Sequence, residues 1–198
     1  AEVKGLEMAS RNAADAQAMV DTAEGAHQEV HSMLLRMREI AVQAVNGTLS
    51  DADRTALNTE MTALEAEITK IADNTEFAGI DLGTSKAITF QIGAGKNETI
   101  EHTFKDFDAA SLSLISSVAT ATAAANTISV VDAAISLVST RRGELGALSN
   151  RLSSTIANLD NIAVNLSSAK GRIQDTDFAT ETSNLAKSQI MQQAATAM

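Results

Sequence analysis

The sequence predicts a mainly α-helical protein, an elongated antiparallel helical bundle or coiled-coil rod that carries a small β-hairpin cap. Three observations lead to this fold class. An apolar stripe that steps alternately by three and four residues runs from Leu6 to Ala44, and an average step of 3.5 residues keeps one helix face against a partner helix. The chain has no Pro, which suits long uninterrupted helices. A short central region alternates apolar and polar residues, which is typical of strands.

Composition narrows the classes of function. Of the 198 residues, 44% are hydrophobic but only 3% are aromatic, so the helices must pack with small aliphatic side chains. The formal net charge is −10 and the sequence pI about 4.7, which argues against nucleic-acid binding because neutralising phosphates needs a basic face. Without Cys, disulfides and thiolate metal sites are excluded. We see no signal peptide and no transmembrane stretch, and we predict no membrane partner.

The N-terminal part predicts two helices that form a hairpin. The first spans residues 2–45, where about 1.5 Å per residue makes a rod of roughly 55–60 Å along the stripe, and Asn46-Gly47 ends it. Ser50 is the expected N-cap of a second helix over residues 51–74. The stripe of the first helix is apolar except at His27, and it consists of Leu6, Ala9, Ala13, Ala16, Val20, Ala23, His27, Val30, Leu34, Met37, Ala41 and Ala44.

The rest of the chain predicts a hairpin, a connector and a last long helix. Residues 80–105 form the β-hairpin region, because apolar residues alternate with polar ones on both sides of a Gly-rich loop. Residues 106–126 form a connector that ends in a Ser/Thr/Ala-rich stretch, and residues 127–171 form a helix. The tail 175–198 starts with Asp175-Thr176-Asp177 as a cap. Long helices at both ends of the chain are expected to lie side by side and antiparallel.

Several segments resemble bacterial flagellin in the same order along the chain. They are VKGL (3–6) with ASRNA (9–13), LLRMREIAVQAVNGTLSDADRTALNTEMTALEAEI (34–68), NTEFAGIDL (74–82) and LGALSNRLSSTIANLDNIAVNLSSAKGRIQDTDFATETSNLAKSQIMQQA (145–194). The resemblance covers nearly the whole chain except about 83–127. It implies the rod domain called D1 over residues 1–174 and the start of the C-terminal D0-type helix over residues 175–198. We therefore expect a truncated, minimal flagellin that lacks the variable outer domains and most of the terminal helices.

The resemblance also implies a function, a location and partners. The expected function is that of a structural subunit of the flagellar filament, which polymerises by lateral rod-to-rod packing for motility. The expected location is extracellular, after export through the flagellar type III route without a cleavable signal peptide. The expected partners are other flagellin subunits, the export machinery with its chaperone, and an animal Toll-like receptor. By resemblance, the residues of the subunit or receptor contact are Arg36, Arg38, Glu39, Ile40, Glu60 and Val131.

Other functions are less well supported by the residues. His27 and His31 are four residues apart, a spacing that would let both bind one metal ion from the same helix face, and Glu24 is near enough to add a carboxylate. The simpler interpretation is a histidine in the apolar stripe and a surface histidine, and we predict no metal and no cofactor. No nucleophile motif or phosphate-binding loop is visible, so we predict no enzyme and no catalytic residue. The alternatives are a hook–filament junction protein and a surface adhesin or polysaccharide- or receptor-binding module.

Overall fold

The computed structural model describes residues 2–114 and 116–196, and these form a mainly helical rod with two small hairpins. The fold class predicted from the sequence is confirmed. In chain order the elements are α1 (Glu2–Val45), α2 (Asp51–Asn74), β1 (Glu76–Phe77), β2 (Ile80–Asp81), β3 (Lys86–Gln91), β4 (Thr99–Phe104) and α3 (Ala121–Thr196).

The body of the rod is the antiparallel pair of α1 and α3. Near the start of α1, Leu6 and Ala9 pack against Leu159, whereas the end of α1 packs against the first turns of α3, around Val131 and Val138. All twelve positions of the predicted α1 stripe are buried. Many of them are Ala, and such small side chains let two helix axes approach to near the lower end of the usual 8–10 Å.

The second helix folds back on the first, as the sequence predicts. Ser50 caps α2 in a capping box with Asp53, which satisfies backbone N–H groups that the first helical turn leaves without partners. Met61 and Ile68 of α2 are fully buried against α1. This packing makes α1 and α2 the predicted helical hairpin.

The predicted β-hairpin is formed by β3 and β4, which pair antiparallel with Phe90 opposite Ile100. Its buried face, which includes Phe104, packs in one cluster with α1 and with Leu148 of α3. A second hairpin, β1–β2, was not predicted. Its two-residue loop, Ala78-Gly79, has positive φ at both positions, the backbone that a tight hairpin turn needs.

Two predicted boundaries of the last helix are wrong. Helix α3 begins at Ala121 and not at residue 127, so the connector is shorter than predicted. Thr120 supplies the cap, since its hydroxyl accepts from the Ala123 N–H at 3.1 Å, and the alanines that follow favour helix. At the other end, α3 continues through residues 171–175 to Thr196 without a break.

The C-terminal part of α3 extends beyond the rod body. Among the described residues, apolar side chains such as Ile173 and Ile190 are exposed there. The predicted cap at Asp175-Thr176-Asp177 concerns side chains outside the described residues, and the division into domains 1–174 and 175–198 stays a prediction. An 18-residue window within Ala121–Ile173 has a mean hydropathy of 1.5, so by length and composition this stretch would suffice to cross a membrane. This hydropathy is weak evidence for a membrane span, because the inner face of the same stretch packs against α1.

Candidate subunit-contact surface

Arg36 joins α1 to α2 on one side of the rod. Its Nε and Nη2 donate to Glu60 Oε1 at 3.0 and 2.9 Å, and its Nη1 donates to Glu39 Oε2 at 3.0 Å. The hydrogen bonds with Glu60, and then with Glu39, raise the pKa of Arg36. Arg36 and Glu60 are about half exposed and Glu39 is more exposed, so the three side chains form a charged surface cluster, which we call the Arg36 cluster. The structure thus brings together three of the predicted contact residues.

Arg38 is directed to the other side of α1, because two residues along a helix correspond to a rotation of about 200°. Its Nε donates to Asp132 Oδ1 of α3 at 2.6 Å, and both side chains are about half exposed. This hydrogen bond, with the charge of Asp132, raises the pKa of Arg38. Arg38 therefore lies at the junction of α1 and α3, away from the Arg36 cluster.

Two of the predicted contact residues, Ile40 and Val131, lie in the core of the monomer and not on its surface. Both have 0% exposure, and they belong to the same core cluster as Met61. Ile40 lies one turn after Arg36, and the 40° offset over four residues turns its side chain towards the core between α1 and α2. Val131 occupies the α3 face that packs on α1.

An exposed apolar surface lies elsewhere on α1, at residues that were not predicted from the sequence. Leu35, Val42 and Val45 are 44%, 49% and 37% exposed. Their spacings of seven and three residues place them along one side of the helix, the side that also carries Arg38. We call these three residues the Leu35 stripe. The sequence carries one indication of these exposed positions: each directly follows a buried residue of the apolar stripe of α1, namely Leu34, Ala41 or Ala44.

His27 lies in the main stripe, as the simpler interpretation predicted. It is 3% exposed, and its Nδ1 lies 2.8 Å from the carbonyl oxygen of Ala23. Burial, as the largest cause, lowers the pKa of His27, and the charge of Arg141 adds to this effect, although the Ala23 hydrogen bond opposes it. Within 2–114 and 116–196, no group of three or more His, Asp or Glu side chains is placed to hold a metal ion.

Comparison with known proteins matches both ends of the chain to one family. Residues 1–83 match the model of the bacterial flagellin N-terminal helical region, and residues 128–198 match that of the C-terminal helical region. The chain is 41% identical over 206 residues to the flagellin of Halalkalibacterium halodurans, with 100% of this chain and 75% of that protein covered. It is 37% identical to the flagellin of Bacillus subtilis, with 100% and 77% covered.

Solved structures agree with this match. The crystal structure of Bacillus cereus flagellin superposes with a TM-score of 0.68 at 30% identity, covering 81% of this chain and 94% of that one. A putative flagellar hook-associated protein from Vibrio parahaemolyticus superposes with a TM-score of 0.72 over 86% of this chain and 92% of that one, but at 15% identity, so it shows a shared fold alone. The family models and the similarity to flagellins show that the chain belongs to the bacterial flagellin family, and its function is structural, as a subunit of the flagellar filament.

Proposed function

We propose that this flagellin polymerises by lateral packing of its rod, and that the Leu35 stripe is one of the surfaces that meet a neighbouring subunit. The observation that supports the proposal is the exposure of three large aliphatic side chains along one side of α1. Complete burial of such a side chain is worth about 1.5–3 kcal/mol. Because about half of each is already buried in the monomer, covering the stripe would contribute about 1 kcal/mol per residue, or about 3 kcal/mol per subunit.

Polar groups beside the stripe support the same proposal. The Arg38–Asp132 ion pair, half exposed at the junction of α1 and α3, offers a charged rim to an apolar contact. An apolar centre with a polar rim is the usual anatomy of a protein interface. The net charge of −10 makes subunits repel one another, so salt should favour assembly by screening that repulsion.

The proposal is tested with Leu35→Ser and Val42→Ser combined, introduced into the flagellin as its bacterium produces it. We expect helical monomers, because both positions are surface positions, but few or short filaments by electron microscopy. The control combines Leu35→Met with Val42→Ile, which keeps the surface apolar and should preserve filaments. Filaments of normal length and number from the double serine variant would contradict the proposal.

A second proposed function is recognition by an animal Toll-like receptor, through the Arg36 cluster. The supporting observation is that Arg36 is held between two carboxylates from two helices, which fixes an exposed guanidinium in one orientation. Arg is well suited to such contacts because its planar donors pair with carboxylates in a fixed geometry. This contact does not involve Ile40 in the monomer, because Ile40 is buried.

Binding of the monomer to the receptor ectodomain tests this second function. We expect Arg36→Ala combined with Glu60→Ala to weaken binding at least tenfold. The matched control removes another exposed ion pair of α2, Lys70 and Glu67, by Lys70→Ala and Glu67→Ala. Equal affinity of the two double variants would contradict a role for the Arg36 cluster in binding.

The proposed export route and location are those expected of a filament subunit. Flagellar filaments are extracellular, and we propose that this chain reaches them by the flagellar type III route with a dedicated chaperone. The absence of Cys is compatible with that route, since no disulfide has to form after export. Deleting the export apparatus should leave this flagellin inside the cell, whereas secretion that continues at the normal level would contradict the proposed route.

A further inference from the structure

The segment that follows β4 docks on the rod directly above His27. Phe107 of this segment is fully buried, and its ring centroid lies 4.4 Å from that of His27 at an interplanar angle of 47°. The guanidinium of Arg141, in α3, donates a hydrogen bond to the carbonyl oxygen of Asp106. We call residues 105–114 the docked segment. His27 and Arg141 are two of its contacts with the rod.

The hydrogen bonding of His27 favours a neutral ring, because a second proton on Nε2 would be buried without an acceptor in the described part of the chain. A carbonyl oxygen accepts and does not donate, so the 2.8 Å contact with Ala23 places the proton on Nδ1. The other nitrogen, Nε2, is then an acceptor, and it is buried without a hydrogen-bond partner among residues 2–114 and 116–196. His27 also lines a cavity of about 10 Å³ together with His102 and Arg141, room for about one water molecule.

Charged groups face His27 from every element packed against it. Glu24 would be the natural counter-ion for a protonated ring. Its Oε1 accepts from Arg142 Nε at 2.8 Å, whereas its Oε2 is buried without a hydrogen-bond partner among residues 2–114 and 116–196. Arg141 adds a positive charge on the same side. The titratable and charged groups around the site are Glu24 from α1, Arg141, Arg142 and Glu144 from α3, and His102, Lys105 and Asp106 from β4 and the docked segment.

We propose that His27 is an acid-sensitive latch, whose protonation releases the docked segment from the rod. In the docked state a charged ring would be buried beside Phe107 and the cation of Arg141, away from bulk water, and the nearby Glu24 carboxylate already shares its charge with Arg142. When the segment lifts away, water reaches Nε2 and the ring accepts a proton. This latch lies within one subunit, so it does not depend on the proposed filament contact.

The direction of the pH effect follows from linkage. Docking lowers the pKa of His27 below the ordinary value of 6.5, so above pH 6.5 the ring is neutral in both states and docking is fully stable. As the pH falls below 6.5, only the open state takes up the proton. The population of the open state therefore rises about tenfold per pH unit until the pH reaches the lowered pKa of the docked state.

Hydrogen exchange of the 198-residue chain between pH 7.5 and 5 measures this opening. After correction for intrinsic exchange rates, we expect amides of the docked segment to show an opening constant that increases about tenfold per unit below pH 6.5. Amides at the start of α2, where Arg54 donates to the carbonyl oxygen of Ala44, about 25 Å along α1 from His27, should show a much smaller change. The variant His27→Leu, which keeps the stripe apolar, should remove the pH dependence of the docked segment.

Two control variants separate His27 from the other histidines. His31→Leu removes the half-buried histidine one turn away, and His102→Gln removes the other histidine at the cavity; both should keep most of the pH dependence. An equal pH dependence in His27→Leu and the unsubstituted chain, or none in the unsubstituted chain, would overturn the proposal. If His27→Leu does not fold, NMR titration of the His27 ring in the unsubstituted chain decides: titration below pH 6.5 supports the latch, and titration at or above 6.5 overturns it.

Discussion

Replacing Arg54 with Ala should destabilise the rod far more than removing an exposed charged side chain. Arg54 is only 7% exposed, and its guanidinium closes the C-terminal end of α1. It donates to the carbonyl oxygens of Ala44 at 3.0 Å, Leu49 at 2.9 Å and Asn46 at 2.9 Å. These are carbonyls at and just after the end of α1, where helical hydrogen bonding leaves oxygens without partners.

The magnitude follows from the number and kind of these hydrogen bonds. A hydrogen bond to a charged group contributes about 1.5–3 kcal/mol net, so three give an upper limit of about 5–9 kcal/mol. Water will reach some of the carbonyls once the side chain is truncated, and the cost of burying the guanidinium disappears. We therefore expect Arg54→Ala to lower the free energy of unfolding by about 3–4 kcal/mol. Arg54→Lys should lose about 2 kcal/mol, because one ammonium cannot replace a planar fork of donors.

Urea unfolding followed by circular dichroism measures this loss. With a slope of about 2 kcal/mol per molar urea, the midpoint of Arg54→Ala should fall by about 1.5–2 M. The matched control is Arg151→Ala, which removes an exposed arginine of α3 and should change the stability by no more than about 0.5 kcal/mol. Equal midpoints for the two variants would refute the assignment of Arg54 as a structural clamp.

Three further predictions concern packing and shape. Gly25→Ala should raise the free energy of unfolding by about 1 kcal/mol, since a Cβ there meets nothing within 4 Å and Ala favours helix more than Gly does. Gly83→Ala should instead lower the free energy of unfolding by about 4 kcal/mol or more, because its Cβ would lie 1.9 Å from the carbonyl oxygen of Ala72. Thermal unfolding of the two variants measures both changes. Phe107→Ala should cost about 3–5 kcal/mol in urea unfolding by leaving a cavity beside His27, and a loss below about 1 kcal/mol would contradict its place in the core. Solution scattering should give a radius of gyration near 25–30 Å, well above the about 16 Å of a globular chain of this length, and a value near 16 Å would contradict the rod.

The first and last residues of α1 and α2, whose sequences carry strong local signals, were predicted correctly. The apolar stripe and the Asn46-Gly47 stop set the bounds of α1, and Ser50 with Asp53 set the start of α2. Alternation of apolar and polar residues located β3 and β4 within a few residues of their observed ends. In each case, periodicity and capping chemistry lie in the same short window of sequence, so tertiary contacts were not needed to make the prediction.

The errors in the predicted helices and strands occurred where one stretch of sequence is compatible with two structures, or where the sequence carries little information about the backbone. The alanines after Thr120 were interpreted as part of a low-complexity connector, although the same alanines favour helix once Thr120 caps it. The β1–β2 hairpin depends on Ala78 at positive φ, a backbone that Ala rarely adopts, so its sequence carries little turn signal. Both hairpin and helix start are stabilised by contacts that a single window does not contain.

The candidate surface was less predictable than the fold. Charged contact residues such as Arg36 and Glu60 were identified from the resemblance, and the structure brings them together. Ile40, four residues after Arg36, lies in the core and not beside Arg36 on the surface. The 40° offset between the two positions was enough to turn Ile40 towards α2, and the sequence did not show where α2 would pack. The role of Arg54 was also missed, since its partners are backbone carbonyls, which every sequence contains.

The structure of the assembled filament tests the central claim most directly. A cryo-electron microscopy map of the filament formed by this flagellin shows which side chains lie between neighbouring rods. We predict that Leu35 and Val42 lose nearly all their exposure, with aliphatic atoms of a neighbouring subunit within about 4–4.5 Å of them. A filament in which both side chains face solvent, at the exposure they have in the monomer, would contradict the account.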